Sequence, residues 1–110
     1  MTEYLKVRSD NPEIRWIKRA VEVLREGGII VYPTDSTYAI GCQMGDKKSL
    51  ERIRALRRLD PKHNLTLICA GLSELSSYSH VSNGAYRILK SHTPGPFTFL
   101  LKATPEVPRR

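Results

Sequence analysis

A short β-branched run, Ile29-Ile30-Val31-Tyr32, sits between a glycine pair and a proline, and this punctuation constrains the fold more than any other stretch of the chain. Gly27-Gly28 before it stops a helix, because glycine enters the left-handed conformation freely, and Pro33 after it ends a strand. The run lacks alternation, which predicts a strand covered on both faces, as inside an α/β sheet. Upstream, Ile14, Ile17, Val21 and Leu24 recur at three- and four-residue steps, the stripe of an amphipathic helix. Asp10-Asn11-Pro12-Glu13 provides its start, with a side-chain cap, a proline in the first turn and an acid near the positive end of the dipole.

Beyond Pro33, Thr34-Asp35-Ser36-Thr37 crowds three hydroxyls and a carboxylate into a turn, and Tyr38 to Cys42 reads as a second strand. A loop this polar at a strand end is a natural place for a ligand. Asp46 caps a second helix reaching to Arg58, and Asn64 to Cys69 reads as a further strand. Helical turns are predicted over Ser73 to Tyr78 and Asn83 to Lys90. Thr93-Pro94-Gly95-Pro96 makes a stiff turn, and Phe97 to Leu101 reads as a strand. Alternating helices and strands predict one α/β domain over residues 1–110, with a mixed, twisted sheet flanked by helices. The stretch from Thr104 to Arg110 follows the last strand with no closing element, so the expected architecture is incomplete at its C-terminus.

Composition narrows the function classes. Hydrophobic residues are 40% and charged residues 26% of the 110, which excludes an apolar-poor disordered chain. No apolar run is long enough to cross a bilayer and the N-terminus lacks a secretion pattern, so the cytoplasm is the expected compartment. Cys42 and Cys69 lack any metal-ligand spacing and are read as small buried hydrophobes. The formal charge is +7, and its location carries the information. Lys47, Lys48, Arg52, Arg54, Arg57, Arg58 and Lys62 face only Glu51 and Asp60 within one segment. Such a cluster attracts phosphate, on a nucleotide or along a nucleic-acid backbone, although a solvated helix face has the same composition.

With Leu50 at zero, Ile53 falls at about 300° and Leu56 at about 240° around an ideal helix, defining the expected buried stripe. Arg57, at about 340°, lands inside that stripe. A guanidinium aimed there must meet an anion, snorkel out or lie past the helix end; the first of these is the reading adopted. Gly41 to Ser49 fails as a phosphate loop, because Asp46 separates Gly45 from the lysines, and no GxGxxG pattern occurs. His63, His80 and His92 show no ligand spacing and read as surface or capping residues; no metal site is expected. Asp35 reads either as a general base or as a cap of its own turn, and Ser36 has no sequence-visible histidine partner. No aromatics interleave with the basic stretch, which speaks against a stacking platform for single-stranded RNA.

Three ordered motifs carry a resemblance. Val31-Tyr-Pro-Thr-Asp-Ser-Thr-Tyr-Ala-Ile-Gly41 resembles the Pro-Thr-(Glu/Asp)-Thr-x-Tyr-Gly-Leu-Gly signature of the YrdC-like family, and Pro94-Gly-Pro-Phe-Thr-Phe-Leu-Leu101 resembles its Pro-Gly-Pro-x-Thr strand. Between them, Arg57-Arg-Leu-Asp-Pro-Lys-His-Asn-Leu-Thr-Leu67 matches the YciO branch better than the enzyme branch. The resemblance implies a YrdC-like fold that binds a nucleotide and double-stranded RNA or tRNA. Its enzyme branch makes threonylcarbamoyl-AMP and pyrophosphate from threonine, bicarbonate and ATP with magnesium, a nucleotidyltransferase step toward threonylcarbamoyladenosine in tRNA. Carried over by motif, Thr34, Tyr38, Arg57 and Thr98 would line the substrate and nucleotide cleft, with Ser36 of the same turn beside them; by its charge alone, the basic segment offers Lys47, Lys48, Arg54, Arg58 and Lys62 as an RNA or phosphate patch. ATP with magnesium is the implied ligand, with no tightly held cofactor. Leu59 replaces the second cation of the family's Lys-x-Arg pair, and Ala39 replaces the first glycine of Tyr-Gly-Leu-Gly. Both departures favour binding over synthesis as the first reading.

Overall fold

A computed structural model describes residues 2–7 and 10–108. It has an α/β fold, as the alternating pattern predicts, with elements in the order α1 (Ile14–Arg25), β1 (Ile29–Pro33), β2 (Tyr38–Cys42), α2 (Lys47–Arg57), α3 (Leu72–Tyr78) and α4 (Asn83–His92). The chain forms two compact units, one of residues 1–32 with 38–61, the other of residues 33–37 with 62–110.

In the first unit, α1 begins at Glu13, whose side chain makes no capping hydrogen bond. The N-cap position thus falls on Glu13 rather than on Asp10, leaving Pro12 before the helix and no acid in its first turn. Arg19 bridges Glu3 of the N-terminal segment and Glu22 on its own helix. The helix stops as predicted. Gly27 takes a φ of 83°, Gly28 N donates to the Val23 carbonyl at 2.8 Å, and Gly27 N donates to that of Leu24 at 3.1 Å. This paired closure satisfies carbonyls that the last turn would otherwise leave open. Gly28 is also irreplaceable on space, since a Cβ there would lie 2.6 Å from Val23 Cγ1 and 2.8 Å from the Val23 carbonyl oxygen.

β1 and β2 pair as an antiparallel hairpin, and among the described residues it is the whole sheet. β1 is therefore not covered on both faces: Val31 is exposed while Tyr32 is half-buried. Tyr32 lies over Gly41, where an added Cβ would meet its ring at 3.0 Å. Helix α2 is capped by Asp46, which accepts from Ser49 N at 3.1 Å, and it ends on Arg58 in the left-handed region at φ 52° and ψ 45°. Ser49 and Ile53 are its buried residues. Leu56, assigned to the buried stripe on angle alone, is 62% exposed, because the buried side of the helix runs through Ser49 rather than through the third apolar position.

In the second unit, Ser82 caps α4 by accepting from Ala85 N at 3.1 Å, and Leu89 is its buried anchor. The helical turns predicted over 73–78 and 83–90 are present as α3 and α4. The segments 64–69 and 97–101, expected as strands, form no ladder among the described residues. An apolar run is a strand only when a neighbouring backbone takes its hydrogen bonds, and here pairing is confined to one bridge, Ser79 with Ala103. His80 N donates to the Lys102 carbonyl at 2.8 Å and Thr104 N to that of Tyr78 at 3.0 Å on either side of it. Ile53 and Leu89, one in each unit, are the buried apolar side chains among the described residues.

Candidate functional site

The hairpin turn is organised by one hydroxyl. Thr34 Oγ accepts from Ser36 N at 3.3 Å and Thr37 N at 3.1 Å and donates to the Thr37 carbonyl, while Thr34 N donates to that carbonyl at 2.8 Å. Thr34 thereby fills the turn-capping role that the sequence offered to Asp35. Its hydroxyl is committed to backbone. Ser36 Oγ lies 3.3 Å from it, and Asp35, Ser36, Thr37 and Tyr38 are all exposed. Of the residues assigned to the nucleotide cleft, the structure brings Thr34 and Ser36 together, with Tyr38 beginning the strand that follows. Thr98 follows Pro96 outside any helix or strand and is exposed. Arg57 closes α2 and belongs to the other unit.

Helix α2 presents the cations. Lys47, Lys48, Arg52, Arg57 and Arg58 are exposed, and among the described residues Lys47, Arg52, Arg57 and Arg58 form no salt bridge. Lys48 and Arg52, four residues apart, share one side of the helix. The inward-aimed guanidinium expected at Arg57 is found at Arg54 instead: its Nε is buried and has no hydrogen-bond partner. Arg57 is exposed because it occupies the last helical position, after which the left-handed Arg58 turns the chain away. Angular position alone could not separate the two arginines, which differ in how much of the helix continues past them.

At the other end of α2, Asp46 and Ser49 form a compact cap. Ser49 is 1% exposed, and its Oγ donates to the Gly27 carbonyl at 2.8 Å and approaches Asp46 Oδ2 at 2.9 Å. Hydrogen bonds from the Ser49 amide and hydroxyl hold the Asp46 carboxyl below the usual range. Sequence reasoning missed Ser49, although a serine three residues after an aspartate cap was the available signal. A shallow cavity of about 430 Å³ opens beside this cap, lined by Arg25, Gly27, Gln43, Met44, Gly45 and Asp46 among others.

The remaining candidates are structural. His92 Nδ1 lies 2.8 Å from the Ile88 carbonyl and its ring meets Phe97 edge-on at 5.5 Å, the capping arrangement expected of it. His63 and His80 are on the surface. Cys42 and Cys69 are free and half-buried, and burial pushes both thiols up, away from the reactive thiolate. Among the described residues no three His, Cys, Asp or Glu side chains gather as a metal site, and no helix is long and apolar enough to cross a membrane.

The chain is an α/β domain with a hydroxyl-rich hairpin tip and exposed cations on the helix that follows. The chain belongs to the Sua5/YciO/YrdC family, described as "Telomere recombination", whose match runs over residues 22–110. It is 54% identical over 110 residues to YciO of Escherichia coli K12 and, to the same degree, to a protein of Haemophilus influenzae; in both cases all of this chain aligns with 53% of the relative. A protein of Alkalilimnicola ehrlichii named threonylcarbamoyl-AMP synthase is 36% identical over 92 residues, 84% of this chain and 48% of that one. The crystal structure of E. coli YciO superposes with a TM-score of 0.92, covering 99% of this chain and 53% of that chain. The chain thus spans about half the length of the relatives it matches.

Proposed function

We propose that the chain is the phosphate-facing part of a YciO-type domain that binds a nucleotide and double-stranded RNA or tRNA in the cytoplasm. The observation that carries this reading is the set of exposed, unpaired cations on α2, Lys47, Arg52, Arg57 and Arg58, opposed on the helix by Glu51 alone. Cations without intramolecular partners keep their full attraction for phosphate, and each one that meets a phosphate releases a condensed counterion. Arg54, with Lys48 and Lys62 on the same segment, extends the patch. In this reading the unsatisfied Nε of Arg54 takes an anionic oxygen, since a buried donor without a partner costs free energy until something accepts from it.

The exposed polar turn is the second part of the proposal. Thr34 fixes the loop, and Ser36 and Tyr38, with Asp35 beside them, offer donors and an acceptor to a zwitterionic or nucleotide ligand. Thr98 is proposed as a further polar contact on the second unit. ATP would arrive with its own magnesium.

The test is binding of the protein to a short RNA duplex across a salt series. A steep fall of log affinity with log salt supports the reading, and weak binding indifferent to salt overturns it. A second reading, threonylcarbamoyl-AMP synthesis by the whole protein, is favoured by relatives that carry that name. Pyrophosphate release from ATP that requires both threonine and bicarbonate would establish it over the first.

A further inference from the structure

Between Glu74 and Glu106 the sequence carries no acidic residue, while Arg87, Lys90 and Lys102 fall inside that stretch. Two of these cations belong to α4, which holds no carboxylate at all. At about 100° per residue, taking Tyr86 as zero, Lys90 falls at about 40°, Asn83 at about 60° and Arg87 at about 100°, so the four share one side of the helix. All four are exposed, Tyr86 to 44%, and the buried anchor Leu89 lies off this side. Among the described residues neither Arg87 nor Lys90 forms a salt bridge. A solvated face normally intersperses charges of both signs, whereas this one sets cations alone around an aromatic ring. The helix is also fixed at both ends. Ser82 accepts from Ala85 N at 3.1 Å at its start, and Thr93 Oγ donates to the Leu89 carbonyl at 2.6 Å at its finish.

We propose that this face of α4 is a binding site for single-stranded nucleic acid. Tyr86 stacks on one unpaired base, and Arg87 and Lys90 meet the phosphates that flank it. Every base presents a π-face, so the contact tolerates any sequence, and the cations supply the attraction that brings the strand in. Helix α2 carries more cations but no aromatic, and a base inside a duplex has both faces covered by its neighbours. The two helices therefore suit different ligands: α2 the phosphates of a duplex, α4 an unpaired strand. The α4 site lies wholly within the second unit and does not depend on the reading of α2.

The experiment is a fluorescence-anisotropy titration of the full chain with a short oligoadenylate, its deoxy counterpart, an abasic strand of equal length and polyglutamate, each across a salt series. The expected result is that the oligoadenylate binds about tenfold tighter than the abasic strand. Tyr86→Leu, which keeps an apolar side chain but no ring face, should erase that difference, and Tyr86→Phe should preserve it. Arg87→Gln and Lys90→Gln should each flatten the salt slope for the oligoadenylate by about 0.7 and leave the melting temperature unchanged, since both side chains are exposed. Tighter binding of the ribo or of the deoxy strand identifies the source of the ligand, and either leaves the site in place. Equal affinity for abasic and base-bearing strands, or an unaltered preference in Tyr86→Leu, would overturn the proposal. Polyglutamate bound as tightly as the oligoadenylate would overturn it too, marking the face as a surface for acidic protein. Duplex binding is read separately through Arg52→Ala on α2, which should leave the preference for base-bearing strands intact, so failure of this site and failure of the proposed function are told apart.

Discussion

Ser49 donates its hydroxyl to the carbonyl of Gly27 at 2.8 Å, across 22 residues of sequence, and so fastens the end of α1 to the start of α2. The helix that carries the cations is held at that point. Its position therefore depends on a neutral side chain that touches no proposed ligand.

Ser49→Ala is expected to cost about 1–3 kcal/mol, the penalty for leaving a buried carbonyl unpaired. Leu56→Ala, on the same helix but largely exposed, should change stability by less than about 0.5 kcal/mol. Urea denaturation of both variants checks the pair, and a reversal of their order would show that the apolar stripe inferred from angle was right.

The Asp46 cap makes stability depend on pH with a defined sign. Its folded pKa is lowered, so its contribution is present above the unfolded value of 3.8 and is lost as pH falls through the folded value. The expected outcome is that the wild-type midpoint exceeds that of Asp46→Ala at pH 7 and that the gap narrows below about pH 4. A gap that stays constant to pH 2 would show that ionisation has no part in the cap.

Arg58 sits in the left-handed region without being glycine. Arg58→Gly should stabilise the domain by about 1 kcal/mol while flattening the salt dependence of RNA binding by about one counterion. Thermal melts and a salt series separate the two effects, because the first concerns backbone and the second concerns charge.

Arg57 and Arg54 should divide in the same way. Arg57→Ala is expected to weaken RNA binding with no change in melting, since its side chain is exposed. Arg54→Met should weaken binding and leave stability equal or improved, because the unsatisfied buried Nε goes with it. Parallel loss of melting temperature and affinity in Arg57→Ala would mark that residue as structural.

Gly41→Ala is predicted to destabilise by about 1–3 kcal/mol through crowding of the Tyr32 ring, and Tyr32→Ala in the same chain should recover part of it. Additive losses in the double mutant would remove the contact as the cause.

Local chemistry was legible in the residues themselves. The Gly27-Gly28 stop, the Asp46 cap, the strand ended by Pro33 and the helices after Gly71 and Ser82 each follow from a preference acting within one turn of the chain. What tertiary structure alone decided is which neighbour each group meets. Periodicity placed Arg57 and Leu56 on the covered side of a helix, yet Arg54 and Ser49 occupy it, because a helix face is buried by what packs on it and not by its angle. The apolar runs at 64–69 and 97–101 read as strands, but a ladder requires a second backbone, and hydrogen bonds between distant segments leave no mark in either segment's own sequence.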